Sequence, residues 1–92
     1  MEAIKALIAK HNHPEMAKDP ITYQVWEDGE ITLQKGGDLL WQRKLHLMLY
    51  GAPEKAVPVE LFPRQQSNGH GYLHTSKEGA KEISAAIRGR VL

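Results

Sequence analysis

The residues of this 92-residue chain best able to hold a metal are four histidines, His11, His13, His70 and His74, with Glu15 close to the first pair. Neutral imidazole is a good zinc ligand, and the spacing of His70 and His74 is workable for one ion. Their usual companions are missing: the chain has no cysteine and no H-E-x-x-H helix. The sequence therefore predicts no metal and no cofactor. It reads His11 as the close of a helix, where an imidazole meets the last carbonyls.

Nucleophilic chemistry is as poorly served. His74, Thr75 and Ser76 are neighbours, but a triad needs a base aimed at the hydroxyl and an acid that orients the base. There is no G-x-S-x-G elbow and no evident pair of carboxylates in an apolar setting. The expectation is a protein with no catalytic residues, one that acts by binding.

The stretch NGHGYLHTSKEGAK, residues 68–81, offers a third chemistry. Two glycines and two histidines precede a helix start, and a helix N-terminus presents free N–H groups to an anion. Lys77 and Lys81 are four apart and share a helical face that Ser84 and Arg88 continue. A lysine in the first turn opposes the helix dipole at a small cost. Glu78 and Glu82 form the neighbouring stripe and dilute the positive field. Arg64, Gln65, His70, His74, Lys77, Lys81 and Arg88 are the expected contact residues, on this helix and the polar loop before it.

These side chains must be positioned by a small set of elements. Ile4, Leu7, Ile8 and His11 recur at helical spacing, and Pro14 stops the run, so a helix is expected from the N-terminus to about Asn12. The segment ITYQVWEDGEITLQK reads as a β-hairpin turning at Asp28-Gly29, with Trp26 opposite Ile31 and Val25 opposite Thr32. Residues 38–50 admit two readings. Apolar side chains at Leu39, Trp41, Leu45, Leu47 and Leu49 fit period-2 alternation and favour a strand, interrupted by Arg43. Asp38 as an N-cap and Gly51 just past the end fit a helix. Val57, Val59 and Leu61 alternate beside Pro58 as an edge strand or an extended arm. Thr75 and Glu78 make a capping box, with Ser76 as the alternative cap, for a second helix whose buried stripe is Ala80, Ile83 and Ile87. The predicted fold is α+β: a small antiparallel sheet of three to four strands with one N-terminal and one C-terminal helix.

Composition sets the outer limits. The length suits one domain, residues 1–92, and hydrophobic and charged fractions of 41% and 25% are ordinary for a folded protein. No apolar run approaches the ~20 residues of a membrane span. The amphipathic start shows no cleavage site. Absence of cysteine suits a reducing compartment, so the expected location is the cytoplasm, with no membrane partner. The net charge of +1 hides an asymmetry. Residues 1–34 set three lysines against six carboxylates, whereas residues 64–92 set five cations against two carboxylates. A basic C-terminal third can meet an acidic partner such as nucleic acid.

Two resemblances bear on the partner. Ser76-Lys77-Glu78-Gly79-Ala80-Lys81, together with the order of elements, resembles the last helix of double-stranded-RNA-binding domains and implies contact with an RNA backbone. Glu78 stands where that family carries a second lysine. The chain as a whole, short and free of cysteine, resembles phage-encoded anti-CRISPR proteins of the type I-F class. That resemblance implies a non-enzymatic inhibitor, in the host cell cytoplasm, that occupies a Cas protein–guide RNA complex and blocks target DNA. The partner is thus expected to be a protein or ribonucleoprotein, with possible RNA or DNA backbone contact. The alternative is a stand-alone nucleic-acid-binding domain.

Overall fold

The computed structural model describes residues 2–34, 39–53, 56–62 and 71–89. Helix α1 spans Glu2–His11, strand β1 Thr22–Trp26, strand β2 Ile31–Gln34, helix α2 Leu39–Tyr50, strand β3 Tyr72–Thr75 and helix α3 Lys77–Gly89. Short 3-10 turns occupy Pro14–Lys18 and Val59–Leu61. The sheet is antiparallel throughout, in the order β2-β1-β3. The α+β class with helices at both ends is therefore correct, and a third helix joins them.

Side chains alternate across a strand, so the sheet has two chemically distinct faces. Val25 and Leu73 point to one, where Ile4 and Ile8 of α1 and Ala80, Ile83 and Ile87 of α3 close over them with Val57 and Phe62. The helical spacing in the sequence anticipated these contacts. Gln24, Trp26, Tyr72 and His74 point to the other face, which is polar yet buried. Trp26 packs on Tyr72 with ring centroids 4.8 Å apart, and Tyr72 meets His74 edge-on at 5.5 Å.

The hairpin forms one residue out of the expected register. Val25 faces Ile31 and Gln24 faces Thr32. The loop has three residues, Glu27-Asp28-Gly29, closed by bonds from Trp26 N to Glu30 O (2.9 Å) and from Gly29 N to Trp26 O (2.8 Å). Gly29 takes φ +84°, the left-handed residue that completes such a loop. Asp28 Oδ1 accepts the Glu30 amide at 3.0 Å, locking the turn. The turn then docks on α3, because the Ser84 hydroxyl donates to the Gly29 carbonyl.

Three other expectations are corrected. Residues 39–50 are helical; Gly51 at φ +77° follows the last turn and bonds the Leu47 carbonyl at 2.9 Å. The third strand comes instead from Tyr72–Thr75, buried on both faces and so lacking any alternation. Val57–Leu61 is no edge strand. Val57 N bonds Glu27 O at 2.9 Å, and the chain then coils into the 3-10 turn, with Leu61 N on Pro58 O. Asp38 and Gly36-Gly37 lie outside the described residues.

Helix α3 begins one residue later than the Thr75 cap would place it. Ser76 Oγ accepts the Gly79 amide at 3.2 Å, whereas Thr75 ends β3 with its hydroxyl buried. Gly79 is a point of close approach between α3 and its surroundings. A Cβ there would overlap Thr75 Oγ1 and stand 3.0 Å from the His11 ring. Gly79→Ala should therefore destabilise the fold by roughly 1–3 kcal/mol through overpacking, despite the roughly 1 kcal/mol that alanine gains in a helix. Urea unfolding checks this. The double variant Thr75→Ala/Gly79→Ala should recover much of the loss, and a single variant more stable than wild type would refute the close packing.

Candidate functional site

The side chain that interrupts the apolar alternation, Arg43, is the one that fastens α2 to the sheet. It is 4% exposed, with its guanidinium centre 5.1 Å from the Trp26 ring centroid. Nη2 pairs with Asp28 Oδ2 and Nη1 with Glu30 Oε2. His46, one turn further on, places Nδ1 3.4 Å from the other Glu30 oxygen. The hairpin turn supplies both carboxylates because its three-residue loop brings Asp28 and Glu30 to one side. Burial drags the Arg43 pKa down to about 10, opposed by the Glu27 charge and assisted by that of Arg88. The guanidinium thus stays charged at neutral pH.

This anchor turns α2 inside out. At about 100° per residue, Trp41, Leu45, Met48 and Leu49 fall within an arc of about 100° opposite Arg43. Their exposures are 55%, 40%, 71% and 65%. Arg43 is buried, while Lys44 and an apolar stripe are turned to solvent. The stripe runs over ~12 Å of helix, and the largest exposed apolar patch on a small protein is often functional. At its C-terminal end lies an open cleft of about 320 Å³, lined by Glu30, His46, Tyr50, Gly51, Ala52, Pro53 and Arg88. The His46 and Tyr50 rings are tilted against each other there, 4.8 Å apart.

The expected contact residues are scattered. Arg64, Gln65 and His70 lie outside the described residues. His74 is no surface contact: it is 3% exposed, on the polar face of the sheet, with its Nε2 3.3 Å from the Gln24 amide nitrogen. A bond chain continues from Gln24 to Thr32 (3.4 Å) and to the Trp26 indole N–H (2.9 Å). Lys77 and Lys81 are exposed on α3, interleaved with exposed Glu78 and Glu82, and Glu82 pairs with His11 at 2.5 Å. Arg88 is exposed but leans on the hairpin turn, its Nε 3.4 Å from the Gly29 carbonyl. Among the described residues no three ligating side chains converge on one point, and no helix is long and apolar enough to cross a membrane.

Sequence reasoning missed the α2 stripe, although a signal was present. Positions 41, 45 and 49 are four apart and hence all odd, so a helical ridge at i, i+4, i+8 imitates strand alternation.

Removing one partner of a buried ion pair leaves the other charge uncompensated. Arg43→Met should cost about 3–5 kcal/mol in urea unfolding. Adding Asp28→Asn and Glu30→Gln should restore much of it, and no recovery would refute the charge-pairing account. His74 gives a pH signature. Burial lowers its pKa from 6.5, so below that pH the unfolded chain binds a proton that the folded chain excludes. Stability should fall as pH drops from 7 to 5, and His74→Gln should flatten that slope. Equal slopes for the two proteins would contradict it. No family model, no curated protein and no solved structure matches this chain.

Proposed function

We propose that this protein is a small binding module that engages a protein or ribonucleoprotein partner through the outward face of α2. The supporting observation is the inversion of that helix: Arg43 is buried while Leu45, Met48 and Leu49 face solvent. An isolated apolar side chain on a surface needs no explanation, but a contiguous stripe on one helix costs solubility and is characteristic of interfaces. Spacing of i, i+4, i+7 and i+8 is that of a helix laid into a complementary surface.

The resemblance to type I-F anti-CRISPR proteins supplies the partner class, a Cas protein–guide RNA complex whose target-DNA binding the bound chain blocks. Direct binding to naked nucleic acid is the weaker reading, because Glu78 and Glu82 offset Lys77 and Lys81 on α3.

The test is co-purification of the tagged chain with a type I-F Cas–guide RNA complex, with target-DNA capture as the second readout. Leu45→Glu/Met48→Glu should abolish both, while its melting temperature stays close to wild type because both side chains are exposed. Lys77→Glu/Lys81→Glu should have a small effect. Retained binding by the α2 variant would overturn the reading. Binding to naked RNA that falls steeply with salt would establish the nucleic-acid alternative.

A further inference from the structure

We infer that the occupant of the α2 face is an amphipathic helix of the partner protein whose apolar stripe is flanked by carboxylates. This rests on the reading of α2 as the contact surface and adds the chemistry of what covers it. The argument is one of charge complementarity and shape. Helix α2, LLWQRKLHLMLY, contains no acidic residue. Among the described residues, the carboxylates paired with it from the hairpin, Asp28 and Glu30, bind Arg43 on the buried side. At the borders of the stripe stand Lys44 on one flank and Gln42 on the other, both exposed. A cation and an amide donor beside a narrow apolar ridge are complemented by acceptors on either side of an apolar seam.

The competing occupants fit less well. Two copies of this chain packed antiparallel about a twofold axis bring like flanks together, so Lys44 would stand beside its own symmetry mate. An anionic membrane surface rewards each basic residue by only about 1 kcal/mol. Arg43, which would be the second cation of the helix, is buried facing the other way. An interfacial helix also needs its whole apolar face free to enter the headgroup layer, and α2 offers a stripe of only ~12 Å.

The experiment uses the full chain and two synthetic helical peptides with identical leucine faces. In one the flanking positions are glutamate; in the other they are lysine. Binding is followed by amide chemical shifts or calorimetry at low salt. The glutamate peptide should bind about fivefold more tightly or better, with shifts centred on Leu45, Met48 and Leu49. Lys44→Glu should erase that preference, and Leu45→Glu should abolish binding of both peptides. Equal affinity, preference for the lysine peptide, or binding of neither overturns the inference. So does concentration-dependent dimerisation abolished by Leu45→Glu, which assigns the face to a second copy. Binding to phosphatidylserine vesicles, but to neither peptide, would assign it to a membrane surface. The two readings fail separately. If co-purification depends on Leu45 and Met48 but the peptides show no charge preference, α2 remains the contact surface and only the acidic helix is wrong.

Discussion

A guanidinium removed from water loses several kcal/mol of hydration, which it recovers only where carboxylates and a polarisable surface replace the solvent. Arg43 meets that condition with Asp28 and Glu30 around its terminal nitrogens and the Trp26 ring beneath it. The consequence extends well beyond the pair. The hairpin loop must hold three residues so that both carboxylates reach one side, Gly29 must take a left-handed φ to close it, and α2 must dock by the side that carries Arg43. With the Arg43 side inward, Leu45, Met48 and Leu49 are left exposed. The surface assigned here to binding thus follows from the choice of anchor.

The two faces of the sheet divide the work. One is an ordinary core, in which α1 and α3 bury Ile4, Ile8, Ile83 and Ile87 against Val25 and Leu73. This part contributes most of the hydrophobic stabilisation, and it needs nothing from α2. The other face is a polar network, Trp26 to Thr32 to Gln24 to His74, that fixes side-chain orientation with hydrogen bonds. Buried networks of this kind tolerate little displacement, because each unsatisfied member costs about 1–3 kcal/mol. A rigid sheet beneath α2 holds the outward stripe in one place, which lowers the entropy cost of docking.

What the sequence disclosed follows the same division. Where an element buries one apolar face, its period was readable: α1 and α3 with their inward residues, and the hairpin with its Gly29 turn. Where burial is two-sided or inverted, the period misled. Tyr72–Thr75 is buried on both faces and shows no alternation, so nothing in its pattern marked a strand. In α2 the exposed Trp41, Leu45 and Leu49 mark the solvent side, and their fourfold spacing imitated a strand. Arg43 seemed to interrupt a pattern when it was the residue that set the helix's orientation. The one-residue slip of the hairpin has a similar origin, since Asp28-Gly29 fits a two-residue turn locally and only the Arg43 pairing and the Ser84 contact reward the longer loop.

The placement of charge also explains why the described cations of the C-terminal third, Lys77, Lys81 and Arg88, do not form one field. Arg88 is drawn to the Gly29 carbonyl, His11 takes up Glu82, and Lys77 and Lys81 alternate with Glu78 and Glu82 along α3. A net positive segment can therefore present a nearly neutral surface at the distances where contacts form, since fields of alternating sign cancel within a Debye length of roughly 8 Å. An apolar stripe with Lys44 at its border is the less screened feature, because its driving force is burial and its charge has no neighbouring carboxylate on the helix. On a chain of this size, the helix that adds least to the core is the one whose face can be spared for a partner. The ionic anchor keeps that helix folded and aligned with Leu45, Met48 and Leu49 outward.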